Sequence, residues 1–71
     1  MGLYKLSVNI HYWLGSGESS NKKTIEIYQD HFANTESAAS LKLNKILLNR
    51  MSDLGKQGFS VRYDNWNVRQ M

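Results

Sequence analysis

Chemistry in this chain would have to begin from few groups. Two histidines, His11 and His31, and six carboxylates are present among 71 residues, with no cysteine. A metal centre needs a third and usually a fourth ligand. Neither histidine has a carboxylate at a ligand-like spacing, so neither a metal nor a cofactor is expected. Ser7, Ser60, His11 and Asp64 supply the residue types of a nucleophile, a base and an orienting acid. That arrangement also needs a concave site and a strained nucleophile turn, which an open three-stranded sheet does not offer. The Gly15-Ser16-Gly17 stretch lacks the glycine spacing and the following helix of a phosphate cradle. Enzymatic activity is therefore not expected, and His11 reads as a cross-strand partner of Glu26 or Arg62.

Recognition is the chemistry that remains. Alternation along the strands places Lys5, His11, Trp13, Tyr28, Arg62 and Trp66 on one outward surface, where large aromatics among polar and basic residues suit contact with a protein or with stacked bases. Of these, Trp13, Arg62 and Trp66 are expected to centre the binding. A second apolar strip, Leu41 and Leu48 with Met51 at its border, lies off the core side of the helix and suits self-association, most simply as a homodimer.

These positions depend on four elements. From Leu3 to Leu14 the even residues Tyr4, Leu6, Val8, Ile10, Tyr12 and Leu14 are apolar or aromatic, while the odd ones include Lys5, Ser7, Asn9 and His11. A period of two this long specifies a central strand with one dry face. The small and polar residues 15–21 follow as a hairpin loop, then a second strand over about 22–29 with Ile25 and Ile27 inward. Phe32 is expected to plug the gap between helix and sheet. A helix is predicted over about 35–54, capped by Asn34 or Thr35 and stopped by Gly55, with Ala39, Leu43, Ile46, Leu47, Met51 and Leu54 in one arc. The third strand is predicted over about 59–66, with Phe59, Val61 and Tyr63 inward and Trp66 outward. A right-handed crossover then sets the third strand beside the first. The expected fold is a single α+β domain over 1–71, a ββαβ unit with sheet order 3-1-2 and one long helix on one face. That layout resembles half of a ferredoxin-like unit, an analogy that implies no function.

Composition narrows the function classes. The net charge of +3 favours anionic partners mildly, but the lysines and arginines are spread along the chain rather than gathered into the stripe of a dedicated nucleic-acid module. The lack of cysteine suits a reducing compartment. The first twenty residues carry no basic start with an apolar block, and no apolar run approaches the ~18 residues of a membrane span. A cytoplasmic protein without membrane contact is expected. The leading expectation is a non-enzymatic protein-binding module, of the size of phage or mobile-element accessory proteins and inhibitors that cover a host protein's surface. The alternative is a small basic nucleic-acid-binding domain that stacks bases on Trp13, Trp66 and Tyr28.

Overall fold

Alternation along the first strand fixes how everything else packs. In the computed structural model, which describes residues 2–15, 17 and 22–71, β1 (Gly2–Trp13) is the middle strand of a three-stranded sheet. It is followed by β2 (Lys23–Ala33), α1 (Glu36–Lys56) and β3 (Ser60–Gln70), and the sheet order β2-β1-β3 is the one expected. Both neighbours run antiparallel to β1, so β2 and β3 are parallel to each other, as a helical crossover between them requires. The hairpin loop expected over 15–21 falls largely outside the described residues.

Tyr4, Leu6, Val8 and Ile10 on the even face of β1 are buried against Ala39, Leu43, Leu47 and Leu54 of α1. Ile25, Ile27, Met51, Phe59, Val61 and Val68 close the margins of this core. At one end the Tyr12 and Phe59 rings meet edge to face, with centroids 5.0 Å apart. The helix begins where expected, with Thr35 as N-cap accepting a 3.1 Å bond from the Ala38 N–H at its Oγ1. Its end differs from expectation. Gly55 lies inside the helix, and Gly58, at φ +92, takes the left-handed position. The Phe59 N–H bonds the Leu54 carbonyl and the Gly58 N–H bonds the Gly55 carbonyl, which is the double closure of a Schellman turn.

Two strands outrun their predicted ends. β2 continues to Ala33, and Phe32 is not a plug: it pairs with Leu3 on the face away from the helix and is 66% exposed. β3 continues to Gln70 because a bulge resets it. Register passes from Asn9↔Asp64 to Ser7↔Asn67, so Val8 faces two residues, Asn65 and Trp66. Asn65 takes up the extra residue at φ 54, a conformation asparagine tolerates better than most residues.

Among the described residues the helix covers one face of the sheet and nothing covers the other, and the molecule is elongated, with extents of 43 × 20 × 13 Å. Its radius of gyration is 13.6 Å, against ~11 Å for a compact chain of this length. Among the described residues no helix is long and apolar enough to cross a membrane.

Candidate functional site

The bare face of the sheet is assembled by strand parity. β1 contributes Leu3, Lys5, Ser7, Asn9, His11 and Trp13. Their partners are Thr24, Glu26, Tyr28, Asp30 and Phe32 on β2 and Ser60, Arg62, Asp64, Asn67 and Arg69 on β3. Directly paired residues in an antiparallel ladder share a face, so five of the six residues expected on this surface, Lys5, His11, Trp13, Tyr28 and Arg62, are placed there. Trp66 is not. The one-residue bulge turns it to the helix side, where its Nε1 donates a 3.0 Å hydrogen bond to Asn44 Oδ1. Trp13 and Trp66 therefore do not lie on one continuous surface.

A polar cluster crosses the three strands at the hairpin end. His11 Nδ1 lies 2.8 Å from Thr24 Oγ1 and Nε2 lies 2.9 Å from Asp64 Oδ2, while Arg62 Nη1 reaches the same carboxylate oxygen at 3.4 Å. Arg62 is the cross-strand partner of His11 on β3, as expected, while on β2 that place is taken by Thr24 and Glu26 pairs with Asn9 instead; the imidazole nitrogens themselves engage Thr24 and Asp64. The Asp64 carboxyl is held below its ordinary value, chiefly by hydrogen bonding to His11 and further by the charges of His11 and Arg62, against the opposing effect of partial burial. Hydroxyl, imidazole and carboxylate stand in relay order across the three strands. His11 itself is only 9% exposed, so it braces the sheet and is withdrawn from direct contact with a partner. His31 pairs with Tyr4 on the helix side, so the two histidines lie on opposite faces. Among the described residues no group of three or more histidines and carboxylates is placed to hold a metal.

Among the described residues the two most exposed aromatics sit elsewhere, on β2. Tyr28 is 65% and Phe32 66% exposed, on the same face and separated along the strand by Asp30. Lys5 reaches across from β1 to place its ammonium 5.6 Å from the Tyr28 ring centroid, a cation–π distance. No protein-family model, curated protein or solved structure matches this chain. The surface must therefore be read from its own chemistry.

Charge is the decisive part of that chemistry. The bare face carries Lys5, Arg62 and Arg69 against Glu26, Asp30 and Asp64, and so is balanced. The net positive charge of the chain lies elsewhere: α1 holds Lys42, Lys45, Arg50 and Lys56 against Glu36 and Asp53. The outer side of that helix also shows Leu41 and Leu48, each 63% exposed, while Met51 is partly buried against the core. Phe32 is the residue that sequence reasoning missed. Its signal was weak, because the polar run Gln29-Asp30-His31 interrupts the apolar alternation that marks a strand.

Proposed function

We propose that the chain is a non-enzymatic protein-binding module whose working surface is the bare sheet face around Tyr28 and Phe32. One observation carries the reading: two aromatics, each about two-thirds exposed, stand on a face whose three acidic and three basic side chains balance. A surface that tracks phosphates gathers positive charge, and here Glu26 and Asp30 flank Tyr28 on its own strand. Mixed charge around aromatic anchors is instead the composition of protein interfaces. The nucleic-acid alternative keeps Tyr28 as a stacking platform but loses Trp66 and the basic groove it would need.

Capture from a native cell extract tests this, using the wild-type protein, Tyr28→Ala, Phe32→Ala and the helix control Lys45→Ala, each with and without nuclease. A specific partner retained after nuclease treatment, lost in both β2 variants and kept by Lys45→Ala, is expected. Binding should also persist between about 50 and 200 mM salt, over which phosphate-directed binding falls by orders of magnitude. Nuclease sensitivity with a steep salt dependence would overturn the reading in favour of nucleic acid.

A further inference from the structure

The two edges of the sheet are unequal. β3 is blunted by its bulge at Asn65, one of the devices that prevent further strand pairing. β2 has the same length but is unbroken, and it pairs with β1 through consecutive residues from Tyr12↔Lys23 to Gly2↔Ala33. It contains no proline. Its surroundings are also unfinished, since the helix packs chiefly over β1 and β3. Ile25 and Ile27 are therefore only partly buried on one side of β2, while Tyr28 and Phe32 stand exposed on the other.

We infer that the β2 edge takes up an extended segment of a partner protein as a fourth strand, and that this segment carries basic side chains on the face it adds to the bare side. The inference rests on the protein-binding reading above and identifies its partner chemically. Glu26 and Asp30 point to the bare side with Tyr28 between them, so a strand paired to β2 sets its own side chains directly against these three. Lysine or arginine there satisfies both carboxylates and meets the tyrosine ring as Lys5 does from the other side. Apolar residues at the intervening positions extend the row of Ile25 and Ile27. Main-chain bonding along the edge supplies affinity and the alternating side chains supply selectivity.

The same charges argue against a second copy of this chain on that edge. Antiparallel pairing with all of β2 overlapped places Glu26 opposite Asp30 of the other copy, twice, and like charges directly opposed are destabilising. The occupant is thus a different, basic strand.

Blocked nine-residue peptides in which valine alternates with lysine or with glutamate serve as probes, titrated into the full chain and followed by amide NMR. The lysine peptide should bind at least tenfold more tightly than the glutamate peptide and perturb the amides of Lys23–Ala33. Glu26→Lys combined with Asp30→Lys should reverse that preference; both sites are exposed, and circular dichroism verifies the fold. Asp30→Lys alone should create a β2-to-β2 contact between two copies, seen as amide perturbations along Lys23–Ala33 that grow with protein concentration, because the new lysine now opposes Glu26 of the other copy. Equal binding of the two probes, a preference unchanged by the charge reversal, or perturbations confined to β3 or the helix would overturn the inference. If any of these occurs while Tyr28→Ala still abolishes capture of the native partner, the protein-binding reading survives and only the added strand is wrong. If capture fails as well, both fall.

Discussion

Replacing Trp66 by alanine discriminates between two descriptions of β3. Simple alternation from Val61 puts the indole on the bare face, where its loss would leave stability almost unchanged. The bulge puts it on the helix side, 38% exposed and bonded to Asn44. An indole presents ~200 Å², so covering most of it removes on the order of 120 Å² from water, worth about 3 kcal/mol at ~25 cal/mol per Å². The bond to Asn44 is exposed and adds at most ~1 kcal/mol. After allowance for the area alanine itself retains, Trp66→Ala should cost about 2–3 kcal/mol. A domain of this size holds only ~4–10 kcal/mol in total, so the melting temperature should fall by roughly 10–20 °C. Urea unfolding followed by far-ultraviolet circular dichroism measures the effect, with Tyr28→Ala as the exposed control and Trp66→Phe, which keeps a ring but not the N–H, expected between them. A Trp66→Ala midpoint within ~0.5 kcal/mol of wild type would refute the bulged register.

Val8→Asp should unfold the domain, because it leaves a charge in a fully buried site, whereas Ser7→Asp on the bare face should be tolerated; urea midpoints in the reverse order would invert the two faces of β1. The Asp64 carboxyl titrates below its ordinary 3.8 in the folded chain, so it contributes stability that is fully present above that pH and is lost as pH falls through the lower folded value. Asp64→Asn should therefore flatten the acid limb of stability against pH, and an unchanged acid limb would show that the His11 and Arg62 contacts do not form in solution. For self-association through the outer helix strip, sedimentation at several concentrations should show a dimer that Leu41→Lys and Leu48→Lys each weaken; a wild-type monomer at several hundred micromolar would leave those leucines as ordinary exposed side chains.

The fold was legible wherever a single period ran without interruption. Apolar residues at the even positions from Tyr4 to Tyr12 identified β1 and its dry face, although Leu14, expected to continue that face, lies past the strand and is exposed; the arc from Ala39 to Leu54 identified the helix. What escaped were places where one residue changes the count. Asn65 shifts the parity of β3, so that Val61 and Val68, an odd and an even position, both face the helix. Those two valines in one strand, with Asn65 and Asn67 between them, are the signal that could have located the bulge. Gly55 reads as the helix stop in the sequence, but the helix runs through it and Gly58 takes the left-handed position, since glycine is tolerated on an exposed helix surface at a cost of only ~1 kcal/mol. His11 is outward by parity, as its odd position implies. Its burial comes from Thr24 and Asp64 on the two flanking strands, a three-strand contact that no spacing along the chain encodes.

The middle position of β1 also sets an order of events in folding. Its pairing with β2 closes across one short connection, as Tyr12↔Lys23 is near the turn. Its pairing with β3 joins opposite ends of the described chain, from Trp13↔Ser60 to Tyr4↔Gln70, with the Met71 N–H donating to the Leu3 carbonyl. Local closures form within microseconds, whereas distant strand pairs wait until the entropy of the long loop is offset by other contacts. The hairpin should therefore be present before the helix carries β3 into place. Until then Leu6, Val8 and Ile10 lie against neither helix nor second neighbour, and the interval before β3 docks is the one in which the chain is most prone to aggregate. Folding-rate measurements on conservative core variants would show this as high φ-values for Ile10 and Ile25 and values near zero for Val68.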